Sequence, residues 1–141
     1  MYGRGVTEPA APKQRHIALI LAKDLAANLA SAMLLVDPDG DLVFFNEPAE
    51  RILGRPFAEA QMSRAELAKT FKPVDASGAP IPLAELPLAA AFREGVPNHG
   101  QLRIEAVDGR THDLHVVAVP LFAQVDRLVG GLAVFWESEG T

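Results

Sequence analysis

The chain has 141 residues, 13 Lys and Arg, 18 Asp and Glu, and no cysteine. That length suits a single domain that buries about two-thirds of its unfolded surface, with no disulfide or metal needed to hold it. Zero cysteine excludes thiolate nucleophiles, Cys-ligated zinc and iron–sulfur clusters. A formal charge of −5, with no basic cluster beyond Lys13 and Arg15, argues against nucleic acid as a partner. No segment approaches the roughly 18 apolar residues of a membrane span. Residues 7–14 are polar and proline-containing where a signal peptide needs an apolar core. An acidic, soluble, cytoplasmic domain is the expectation.

Residues 1–12 read as a flexible tail, broken by Gly3, Gly5, Pro9 and Pro12. From Lys13 the pattern changes. Ile17, Leu21, Leu25 and Leu29 recur every four residues and Ile20 widens the stripe, which predicts an amphipathic helix within residues 13–31. Met33 to Val36 is a short apolar run suited to a buried strand, and Asp37-Pro38-Asp39-Gly40 supplies turn chemistry. Leu42 to Phe45 makes the return strand of a hairpin.

Asn46 then caps a helix with Glu47, Pro48 and Glu50 in its first turn and Gly54 as its stop. Ser63 and Glu66 form a capping box for a short helix over residues 64–69, and residues 71–82, with three prolines, are expected to be loop. Residues 83–94 read as one helix despite Pro87, ended by Gly95. Alternation of Leu102, Ile104 and Ala106 with polar neighbours makes a half-buried strand, and Asp108-Gly109 turns into the next, which carries Leu114, Val116 and Ala118 on one face. Residues 120–126 are expected to be loop. Residues 128–136 form a last strand, apolar on both sides and therefore central. The sum is an α+β domain with a five-stranded antiparallel sheet.

From Asn28 through Asp37-Pro38-Asp39-Gly40, Asn46, Ala49-Glu50 and Leu53-Gly54, the chain resembles the opening of a PAS domain. Pro87-Leu88 and residues 92–95 fall where that family places its long helix. Val107-Asp108-Gly109-Arg110 resembles its next hairpin, and Pro120-Leu121 with residues 128–134 resembles its final loop and strand. The likeness covers roughly residues 25–137 and organises the chain as a tail at 1–12, the helix at 13–31, a PAS-like domain at 32–137 and a tail at 138–141. Glu137-Ser138-Glu139 stands where many PAS domains carry an Asp-Ile-Thr-like triplet, and the chain stops at Thr141. A stand-alone module, or one cut from a longer protein, is expected.

The resemblance implies a sensory or interaction module with short helices on one sheet face enclosing a pocket, and an N-terminal helix that mediates dimers. The pocket set is expected to be Leu35, Phe44, Ile52, Phe57, Phe71, Leu88, Phe92, Leu102, Ile104, Leu114, Val116 and Trp136, with Val134 behind them. These are also the residues any core would bury. The set is apolar and neutral, so its ligand is expected to be an acyl chain or a flat ring. Trp136, if buried, needs a partner for its indole N–H.

Homodimerisation is assigned to Ile17, Ile20, Leu21, Leu25 and Leu29, and a signalling protein is the other partner the resemblance implies. The cofactor is not legible. Absence of cysteine rules out the flavin–thiol and thioester-linked chromophores, and haem would need an axial histidine from His99, His112 or His115. His99 is expected in the turn at 97–100, and His112 and His115, three apart on a strand, face opposite sides, so no shared metal is expected. Asp113 and His115 share a face but have no nucleophile beside them, and no catalytic motif is present, so no enzyme is expected. The rival is a ligand-free dimerisation module of the same fold with a filled core.

Overall fold

A computed structural model describes residues 17–27, 29–57, 62–124 and 126–138. The elements run α1 (Ile17–Ala27), β1 (Ala32–Val36), β2 (Leu42–Phe45), α2 (Glu47–Leu53), α3 (Arg64–Phe71), a 3-10 turn (Leu83–Glu85), α4 (Pro87–Glu94), β3 (Asn98–Glu105), β4 (Thr111–Ala123) and β5 (Arg127–Glu137). The strands form one antiparallel sheet in the order β2-β1-β5-β4-β3, so β5 is central as its apolar composition implies. The tail at 1–12, residues 13–16 of the expected first helix, and residues 139–141 lie outside the described residues.

Two consecutive glycines in β5 show how the layers sit. A Cβ built on Gly131 would meet Phe92 and Leu88 of α4, while one on Gly130 would meet Leu19 of α1. Successive residues of a strand point to opposite faces, so α4 and α1 lie on opposite sides of the sheet. The inner face carries Ala32, Leu42, Phe45, Ile104, Leu114, Val116, Ala133 and Phe135, packed with Ala49 and Leu53 of α2 and Phe71 of α3. This is the main core.

Local chemistry sets most boundaries. Asn46 caps α2, and its buried side chain also ties β2 to β1. Oδ1 accepts from Ala49 N–H at 3.2 Å and from Met33 N–H at 3.0 Å, and Nδ2 donates to Ser31 C=O at 2.8 Å. Ser63 and Glu66 form the expected reciprocal cap, and Gly54 stops α2 in a left-handed conformation.

Four boundaries differ from the expectation. The predicted helix over 83–94 is broken at Leu86, which is extended (φ −68°, ψ 152°), because the ring of Pro87 disfavours a helical residue before it. Pro87 then opens α4 as a first-turn proline. The helix at 64–69 runs on to Phe71. Residues 98–100, expected as a turn, belong to β3 and pair with residues 116–118 of β4. Residues 120–123, expected as loop, extend β4. Pro120 faces Gly131 of β5, and β3 pairing ends at Ala118, so its missing N–H leaves no ladder bond unmade on that open side.

Candidate functional site

Between α3, α4 and the inner face of the sheet lies a cavity of about 220 Å³. Its floor is the sheet: Leu34, Val36, Leu102, Ile104, Leu114, Val116, Ala133 and Phe135. Leu67, Ala68 and Phe71 of α3 and Pro87, Leu88, Ala89 and Phe92 of α4 form its walls, with Leu53, Pro73, Leu83 and Leu86 closing the gaps. Pro38, Asp39 and Gly40 of the β1–β2 turn and Arg64 at the start of α3 complete the lining. Gly131 is needed here, because a Cβ would stand 2.5 Å from Phe92 Cε1 and 2.8 Å from Leu88 Cδ2.

Of the twelve residues named from the sequence, Phe71, Leu88, Phe92, Leu102, Ile104, Leu114 and Val116 line this cavity. Ile52 and Phe57 pack against the core but do not reach it. Phe57 instead meets the rings of Phe44 and Phe45 edge-on, at 5.2 and 5.3 Å.

Leu35, Phe44 and Trp136 are corrections: strand alternation turns all three to the outer face. Leu35 pairs with Phe44 and with Leu132. Lys23 Nζ of α1 sits 5.4 Å from the Phe44 ring centroid. Trp136 is 44% exposed and stacks on His115 at 5.5 Å, which stacks on His99 at 5.6 Å. Val134, two residues from Trp136, shares that face. An apolar strand with no polar alternation does not say which of its sides is inward.

Leu34, Val36, Ala133 and Phe135 are lining residues that the sequence reading missed. The signal available was Gly131: a glycine within a central strand marks a close approach, and residues 133 and 135 share its face. Asp39, Gly40 and Arg64 were also missed, since only the tertiary fold brings the first hairpin turn against α3.

Two carboxylates of the β1–β2 turn hold backbone N–H groups beside the site. Asp37 Oδ1 accepts the N–H groups of Asp39 and Asp41 at 2.9 and 3.1 Å, building the turn. Asp41 Oδ1 accepts the Arg64 N–H at 3.3 Å. These three carboxylates come within 4.8 Å of one another. His99, His112 and His115 are not among the residues lining the cavity.

His112 and His115 do take opposite faces. His112 Nδ1 lies 3.2 Å from Glu137 Oε1, and its buried Nε2 has no hydrogen-bond partner among the described residues. His115 faces Gln101 rather than Asp113. Asp113 instead holds Arg103 through two hydrogen bonds, at 2.7 and 3.3 Å, which lower the Asp113 pKa and raise that of Arg103. Among the described residues no helix is long and apolar enough to cross a membrane.

A family model described as "PAS domain" matches residues 30–137. Among curated proteins no sequence matches the chain. Solved structures with similar folds include the LOV protein of Rhodobacter sphaeroides, at a TM-score of 0.70 and 16% identity over 89% of this chain and 70% of that one. The PAS domain of nitrogen regulation protein NR(II) from Vibrio parahaemolyticus aligns at a TM-score of 0.58 and 18% identity, covering 84% and 98% of the two chains. The PAS domain of BvgS from Bordetella pertussis aligns at 0.58 and 14% identity, covering 86% and 85%.

Proposed function

The chain belongs to the PAS domain family, and from that premise we propose that this sensory module is addressed by a small, largely apolar molecule seated in the cavity between α3, α4 and the sheet. The cavity itself carries the reading. Its lining is apolar apart from two ionisable side chains, Asp39 and Arg64, both at its rim. Burying apolar surface is the only large favourable term such a lining offers. Its size sets the ligand's. A cavity of about 150 Å³ takes benzene, so about 220 Å³ takes one substituted ring or a short acyl chain.

A ligand-free dimerisation module needs a filled interior, and the open space beside Phe92 and Leu114 counts against it. Reporting through an interface fits α1. Ile20 is 50% and Leu25 59% exposed, and Leu29 just beyond the helix is also exposed, whereas Leu19 is buried against the sheet. The side chains of Ile17 and Leu21 lie outside the described residues. In this reading α1 is fastened to the domain by Leu19 and offers Ile20, Leu25 and Leu29 to a second copy or a signalling protein. A ligand that shifts α4 against Gly131 acts on β5, whose other face meets α1 at Gly130. No catalytic step is part of this function.

Native mass spectrometry of the purified chain beside its denatured spectrum tests the reading. Excess mass lost on denaturation is the expected result, and Ala133→Leu, which fills the cavity from the sheet side, is expected to remove it while the protein stays folded. An excess mass retained in the folded Ala133→Leu variant places the ligand elsewhere and overturns the proposal.

A further inference from the structure

Resting on the sensory reading above, we infer that the cavity selects a planar aromatic ring over an acyl chain, the ring seated among Phe71, Phe92 and Phe135. These three side chains come from α3, α4 and β5, and all line the cavity. They stand on two of its walls and on its floor.

The chain has seven phenylalanines, and the fold sorts them. Phe57 meets Phe44 and Phe45 edge-on, away from the cavity. Phe122 is exposed. The remaining three are the cavity's, and among the described residues none of them pairs with another aromatic ring. Two rings in edge-on or offset contact gain beyond what burial alone supplies. For Phe71, Phe92 and Phe135 the second ring is the one a ligand brings.

A small residue stands beside each of these rings. Ala68 precedes Phe71 by three residues, Ala89 precedes Phe92 by three, and Ala133 precedes Phe135 by two. Those spacings put each pair on one face of its helix or strand, and all six residues line the cavity. A methyl group beside each ring leaves open a flank that a longer side chain would cover. The Phe92 wall is also preset, because its Cε1 and Cζ rest above Gly131.

An acyl chain meets the same rings through burial alone. It also gives up rotation about each of its bonds on entering a confined space, and a rigid ring has no such rotation to lose.

Methyl NMR titration of the full chain with toluene, methylcyclohexane and n-heptane tests the assignment. The three probes share seven carbons and carry no polar atom. Burial alone ranks toluene last, since the saturated probes expose more apolar surface to water. Expected is toluene binding that shifts the Leu114 and Val116 methyl signals, about tenfold tighter than either saturated probe, as two ring pairs supply. Phe92→Leu and, separately, Phe71→Leu are each expected to cut the toluene preference severalfold with methylcyclohexane affinity held. Phe57→Leu, which alters the ring cluster outside the cavity, is expected to keep the preference. Methylcyclohexane or n-heptane binding as tightly as toluene overturns the aromatic assignment and leaves the cavity reading standing. So does a toluene preference that persists undiminished in both cavity variants. No methyl shift with any probe overturns both.

Discussion

Phe92 Cε1 occupies the space directly above Gly131, 2.5 Å from where a Cβ would begin. Glycine at this position lets α4 settle onto the sheet and leaves the Phe92 ring as a cavity wall. Gly131→Ala forces the ring and the Leu88 methyl aside, and overpacking of this kind costs about 1–3 kcal/mol. The expected outcome is a lower urea midpoint with an unchanged slope. An unchanged midpoint would show that α4 yields freely.

Asn46 holds three groups at once: the N–H of Met33, the N–H of Ala49 and the C=O of Ser31. It is 1% exposed, so water does not replace what is removed. Asn46→Ala is expected to cost about 2–4 kcal/mol, a lost cap plus unsatisfied buried groups. Asn46→Asp retains both acceptor bonds but turns a carboxylate oxygen toward the Ser31 carbonyl. Its deficit is expected to shrink in acid, where a protonated carboxyl can donate. Thermal unfolding of both variants at acidic and neutral pH makes the comparison, and equal deficits for Asn46→Asp at both would refute the donor role.

Two exposed carboxylates are held below the ordinary carboxylate range. For Asp75 the leading cause is the Ser77 hydroxyl, followed by the backbone N–H groups of Ala79 and Ser77, and for Asp113 it is the hydrogen bond from Arg103. A depressed folded pKa adds stability above the ordinary carboxylate value, and that contribution is lost as pH falls through the folded pKa. Arg103→Ala is expected to move the Asp113 titration upward and leave Asp75 in place. Carboxyl NMR reads both together, and a joint movement would mean that the two are not held separately.

Pairing through α1 is tested at the exposed positions. Ile20→Glu with Leu25→Glu changes side chains that face solvent in the single chain, so the fold is expected to persist. A dimer that uses this surface is expected to shift to monomer, because two buried like charges face each other across a symmetric contact. Light scattering gives the mass directly, and an unchanged mass would remove α1 from the interface.

Asp37-Pro38-Asp39-Gly40, the Asn46 cap and the Ser63–Glu66 box act through neighbours two to four residues away, so the sequence by itself determined these turns and helix starts. Polar alternation around Leu102 and Ile104 likewise determined the inward face of β3, and both residues line the cavity. Leu35, Phe44 and Trp136 had no such marker. Their strand segments are apolar on both sides: β5 lies between α4 and α1, and α1 also packs on β1 and β2, so these segments carry no record of which side holds the ligand space. Only the tertiary structure decided that, along with the placing of Arg64 and Asp39 at one rim. The reason is physical: a face is chosen by strand register and by what packs from the far end of the chain, and local propensity senses neither.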